Sequence, residues 1–148
     1  MDTFIANPAF RSYAFCAALL GLKMLFSAVY TGRIRQRVQG YINPEDAHVF
    51  GDAGAGAGAA EAAEVAHALR IQRNDLENIP LFFAIGLVYV LCGFSHFAVA
   101  FWCWIFTIAR LVHTYCYMHH LQPWRAVSFV VGALATLAMI VQIAWTTL

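Results

Sequence analysis

Residues 79–109 contain no Asp, Glu, Lys or Arg, a run of 31 positions that falls well outside the composition of ordinary soluble domains. The hydrocarbon core of a bilayer, roughly 30 Å thick, takes about 20 apolar residues per helical crossing. The run is therefore too long for one crossing and too short for two, and Gly93-Phe94-Ser95-His96 interrupts it with turn-forming residues. A tight hairpin between two membrane helices satisfies both facts. Its first limb, residues 79–92, cannot cross alone, so that helix must begin earlier and carry Arg70, Arg73, Asn74, Asp75 and Glu77 toward the membrane.

The hairpin's second limb, residues 97–117, contains Arg110 and His113. Residues 12–31, with Lys23 as their only charge, and residues 126–148, with none, supply a first and a fourth span. The expected fold is all-α, a four-helix transmembrane bundle in one domain. With 61% apolar and 11% charged residues, little chain is left for a soluble domain. The one sizeable loop, about residues 32–69, opens with Arg33, Arg35 and Arg37. It holds a Gly/Ala-rich tract at 52–60, expected to be mobile, and then Ala-rich residues 61–69 that favour helix and lead into the second span. Basic residues gather in this loop and, through Arg125, in the link between spans three and four. The positive-inside rule makes that face cytoplasmic and sends both termini to the other side.

Composition also excludes several function classes. A net charge of +1, with nine basic residues spread along the chain, is no footprint for nucleic acid. Cys16, Cys92, Cys103 and Cys116 lie in hydrophobic stretches without CxxC or Cys/His spacing, which predicts reduced, packed thiols and no metal site. Met-Asp-Thr-Phe at the start lacks a basic region and a small-residue cleavage motif, so the first apolar segment is expected to be retained. No Gly-rich phosphate loop, Ser/His/Asp order or zinc-protease helix is present.

Arg70, Arg73, Asn74 and Glu77 are spaced i, i+3, i+4 and i+7, which places all four on one helix face at the membrane boundary. Arg110, His113 and Tyr117 repeat the device on the third helix, and Arg35 and Arg125 stand at the same ends of helices one and four. Taken singly, an arginine one turn from a glutamate pairs with it, or snorkels to lipid phosphate. Taken together, five arginines with two nearby carboxylates, Asp75 and Glu77, leave surplus positive charge that an anionic ligand would neutralise, and the planar guanidinium suits carboxylates. Lys23 reads as a structural partner for a neighbouring helix, and His119-His120 as an exposed interfacial pair. Trp102, Trp104, Trp124 and Trp145 fit an aromatic belt near the span ends.

The stretch Arg70-Ile-Gln-Arg-Asn-Asp-Leu-Glu-Asn-Ile79, followed by the apolar run and by Arg110-Leu-Val-His-Thr-Tyr115 with Tyr117, resembles the MAPEG family of membrane-associated glutathione enzymes. Lys23, Thr31-Gly32-Arg33 with Arg35, Asn43-Pro-Glu-Asp46 and Leu121-Gln-Pro-Trp-Arg125 extend the resemblance over nearly the whole chain. It implies a homotrimer that binds glutathione between subunits near the cytoplasmic face. Carried over residue by residue, it implies that Arg35, Arg70 and Arg73 hold the tripeptide's carboxylates and backbone. Glu77 would hold its amino group, Asn74, His113 and Tyr117 further polar atoms, and Arg125 would face the sulfur as the catalytic residue. Ala126 and Phe129 stand where the family's prostaglandin synthase branch carries a serine and a tyrosine, which favours the transferase branch. The implied activity is conjugation of glutathione to lipophilic electrophiles from the bilayer, with reduction of lipid hydroperoxides beside it. The alternatives are a glutathione-dependent prostaglandin endoperoxide isomerase and, from another class, a non-catalytic scaffold presenting membrane lipid. The membrane would be endoplasmic reticulum in a eukaryote and the inner membrane in a bacterium.

Overall fold

The computed structural model describes residues 2–41 (side chains from Phe4 on), 43–51 and 62–148, and the described residues form helices and connections only. The elements are α1 (Asp2–Ala6), α2 (Pro8–Val38), α3 (Pro44–Phe50), α4 (Ala63–Leu91), α5 (His96–Met118) and α6 (Trp124–Thr147). Four of them, α2, α4, α5 and α6, are long and apolar enough to cross a membrane. The Gly/Ala-rich tract at 52–60 lies outside the described residues.

The hairpin is where the uncharged run is interrupted. α4 ends at Leu91, Gly93 turns with φ +78°, and the Ser95 hydroxyl caps α5 by accepting from the Ala98 N–H at 3.3 Å. The second span begins at Ala63, as the short first limb requires. The first span is longer than expected at both ends. Asn7 caps it, its Oδ1 accepting from the Ala9 N–H at 2.9 Å, and Pro8 occupies the first helical position, where its missing N–H costs nothing. At the other end, Arg33, Arg35 and Arg37 are helical rather than part of the loop. The helix stops only where Gln39, at φ +52°, lets the Gly40 N–H reach the Arg35 carbonyl at 3.1 Å.

The chain divides into two compact units, one of Met1–Lys23 with Leu76–Leu148 and one of Met24–Asp75. In the first, α5 packs against α6. The buried face of α6 is small, comprising Ser128, Gly132, Ala135, Thr136 and Met139, while Leu134, Leu137 and Val141 point outward. That is the reverse of a soluble helix and the pattern of helices that approach closely in lipid. Phe82 and Phe106 stack at 4.2 Å between ring centroids, and Gly86 admits Tyr13, whose hydroxyl donates to the Phe83 carbonyl at 2.8 Å. In the second unit, Ile34, Val65 and Ala68 form a small core, and the Ser27 hydroxyl donates to the buried Asp75 carboxylate at 2.7 Å. Exposed Arg37 and Glu64 pair beside it. Cys16, Cys103 and Cys116 are buried free thiols, but Cys92 is exposed, because it lies in the turn after α4 rather than in a packed span.

Candidate functional site

The best-defined polar cluster is built by the end of α5 and the start of α6. His120, at φ +56°, closes α5. The Leu121 N–H reaches the Cys116 carbonyl at 2.8 Å and the His120 N–H the Tyr117 carbonyl at 3.2 Å, a Schellman stop made without glycine. The chain reverses so quickly that Arg125 falls in the first turn of α6, not in the link before it. Its guanidinium lies 4.5 Å over the Tyr117 ring. With its amide oxygen turned toward the guanidinium, Gln122 accepts from Arg125 Nε at 3.1 Å and Nη2 at 2.6 Å.

His113, buried on α5, donates from Nδ1 to the Arg125 carbonyl at 2.9 Å. A carbonyl only accepts, so Nδ1 carries a proton, and in the neutral form of the ring the lone pair is on Nε2. The same ring meets Tyr117 edge-on at 5.6 Å and Phe129 at 5.9 Å. The sequence contains no Asp or Glu after Glu77, and among the described residues Arg125 has no ion-pair partner. Its charge is oriented by a ring and an amide but not neutralised, which is the arrangement of an anion site.

Arg110, grouped with the ligand donors by its spacing, has a different part. It is fully buried, donates from Nη2 to Asn78 Oδ1 at 3.0 Å, and lies 5.2 Å from both the Phe106 and Phe129 ring centroids. Gly132 leaves the room it fills, since a Cβ there would stand 3.1 Å from Arg110 Nε. This guanidinium is a post inside the first unit.

The remaining candidates lie on α4 and α2. Arg70, Arg73 and Glu77 are exposed along one unbroken helix, with Asn74 half-buried beside them, and Asp75 turns away to the Ser27 hydroxyl. Pro80 follows Glu77 inside α4 and leaves the Leu76 carbonyl without its helical N–H donor. Arg35, on the last turns of α2, is half-buried, and its Nε is enclosed without a hydrogen-bond partner among the described residues. The structure thus clusters His113, Tyr117 and Arg125, and orders Arg70, Arg73, Asn74 and Glu77 along one helix. Sequence reading missed Asn78 and Gln122. Asn78 was within reach, because it continues the stripe four residues beyond Asn74, whereas Gln122 has no periodic signal.

The MAPEG family profile matches residues 13–145, which include every one of these side chains. The chain belongs to the MAPEG family. Similar MAPEG proteins carry two different names. A prostaglandin E synthase of Macaca fascicularis is 33% identical over 142 residues, 95% of this chain and 91% of that protein. The prostaglandin E synthase of Homo sapiens is 32% identical over the same length, with the same coverage. A microsomal glutathione S-transferase 1 of Sus scrofa is 34% identical over 135 residues, 90% of this chain and 87% of that protein. Identity alone does not separate the two names. Family membership and four apolar helices make this a multi-pass membrane protein.

Proposed function

We propose that the protein is a membrane-bound glutathione transferase that conjugates glutathione to lipophilic electrophiles entering from the bilayer. The observation that carries the reading is the un-neutralised Arg125 guanidinium, held over Tyr117 and against Gln122 at the start of α6. Glutathione offers two carboxylates, one ammonium and a thiol. In this proposal Arg35, Arg70 and Arg73 take the carboxylates and backbone, Glu77 the ammonium, and Asn74, His113 and Tyr117 further polar atoms. Arg125 sits beside the sulfur. A free thiol with a pKa near 8.5 is mostly protonated at neutral pH, and an adjacent cation favours the thiolate. The thiolate then attacks the electrophilic carbon. The new sulfur–carbon bond forms as the leaving group departs with its electron pair, and the thiol's proton goes to solvent.

That Arg70, Arg73 and Glu77 are exposed on one chain, on a helix that enters the membrane, supports a homotrimer whose neighbouring copy covers them. The site faces the cytoplasm in this reading, and the host membrane is endoplasmic reticulum or bacterial inner membrane according to source.

Prostaglandin E synthesis is the second reading, favoured by the names of several relatives. Ala126 weighs against it. It puts no hydroxyl next to Arg125, and the nearby Ser128 hydroxyl is buried and committed to the Trp124 and Arg125 carbonyls at 2.9 and 3.1 Å.

The test is thiolate absorbance of the glutathione complex across pH, with conjugation rates for an aryl halide, a hydroperoxide and a prostaglandin endoperoxide. Arg125→Leu is expected to keep glutathione affinity within about tenfold, to raise the bound thiol's pKa, and to slow conjugation. An unchanged titration with full activity would remove Arg125 from the chemistry. A rate with endoperoxide far above that with aryl halide would select the second reading.

A further inference from the structure

A polar concavity lies at the other end of the first unit from Arg125, around the beginnings of α2 and α5. Its volume is about 420 Å³, and its lining is Pro8, Arg11, Ser12, Phe15, His96 and Trp104. Arg125 follows the C-terminus of α5, whereas His96 begins that helix, so about 35 Å of helix rise separates this concavity from the proposed glutathione site.

The lining is graded. Arg11, Ser12 and His96 occupy the mouth. Phe15 stands one turn further along α2 from Arg11, and Trp104 two turns along α5 from His96, their rings 5.7 Å apart. Both rings are exposed on the chain's surface, at 56% and 40%. Neither the Arg11 nor the His96 side chain has a hydrogen-bond or ion-pair partner among the described residues. In residues 1–44 and 78–148 the sequence holds a single acidic residue, Asp2. Polar donors with net positive charge thus stand at the end of a membrane span, and an aromatic wall runs from them toward the hydrocarbon.

We propose that this concavity binds an anionic phospholipid, with the headgroup phosphate on Arg11 and His96 and the first part of an acyl chain against Phe15 and Trp104. The guanidinium matches phosphate oxygens in a forked geometry, the Ser12 hydroxyl beside it donates to the Pro8 carbonyl at 3.2 Å, and the aromatic rings near the helix starts are of the kind that anchors membrane proteins at the interface. A free phosphate would use the mouth and leave the aromatic wall without a partner. A zwitterionic lipid would bring its own cation to the arginine.

Native mass spectrometry of the detergent-purified full chain decides the matter, with phosphatidylglycerol or phosphatidylcholine of the same acyl chains, or inorganic phosphate, added at equal concentration. Phosphatidylglycerol is expected to be retained severalfold more than phosphatidylcholine. Arg11→Gln should reduce that retention about fivefold, and Trp104→Ala should weaken both lipids. Both variants change exposed side chains and should keep the wild-type melting temperature and glutathione affinity. Equal retention of the two lipids, a preference that survives Arg11→Gln, or displacement of the lipid by inorganic phosphate would each overturn the proposal.

Discussion

A guanidinium with no accessible surface has to be held from every side, and Arg110 is held by an amide, two aromatic rings and the absence of a side chain at Gly132. An added Cβ at Gly132 would meet Arg110 Nε at 3.1 Å and Nη2 at 3.2 Å. Elsewhere a long side chain would swing aside, but here Asn78 and the Phe106 and Phe129 rings deny it room. Gly132→Ala is therefore expected to destabilise by about 1 kcal/mol, the overpacking strain outweighing the gain in helix propensity. Gly21→Ala, whose Cβ would meet nothing within 4 Å, should stabilise by about 0.5–1 kcal/mol. Thermal unfolding of both variants in one detergent checks the opposite signs; a rise for Gly132→Ala would mean that Arg110 is not confined. The two arginines on either side of the α5–α6 turn mark the limit of what spacing reveals. Periodicity put Arg110 and Arg125 at the same end of the molecule, but only tertiary neighbours show that one is enclosed and the other has a charge left to offer.

Among the elements, the spans and the 93–96 turn were legible because hydrophobic length and glycine placement are local signals, whereas the helix ends were not. Asn7 and Pro8 start α2 ahead of Ser12, where the first span was expected to begin, and the helix passes through three arginines because nothing breaks it before Gln39. The stop of α5 was likewise hidden, since His120 takes a left-handed conformation without being glycine. A β-branched residue is strained there, so His120→Val should be less stable than His120→Gly by about 1–2 kcal/mol. Comparing these two variants cancels the loss of the imidazole. Equal unfolding midpoints would show that the turn relaxes to another conformation. The residues of the proposed site divide in the same way. The α4 stripe follows from a period of 3.6, but Gln122 and the tautomer of His113 depend on how the turn folds back, which no pattern in the sequence encodes.

On the scale of the whole molecule, α4 is the least apolar of the four membrane-crossing helices, and it carries Arg70, Arg73, Asp75 and Glu77. It is joined to α5 by only four residues, Cys92 to Ser95. A link that short leaves the two helices no freedom to partition separately during biosynthesis. The second can lend its insertion free energy to the first, so a helix too polar to enter lipid dependably by itself arrives as half of a pair. Glycosylation mapping of nascent chains ended after α4 or after α5 would measure this. Chains that contain both helices should integrate α4 efficiently, and those that end at Leu91 should leave a substantial fraction untranslocated. Equal integration would make α4 self-sufficient. If the two differ, the hairpin turn is a biogenesis device, and the α4 charges that the proposed function assigns to glutathione are tolerated during synthesis because their helix enters the membrane coupled to a more apolar neighbour.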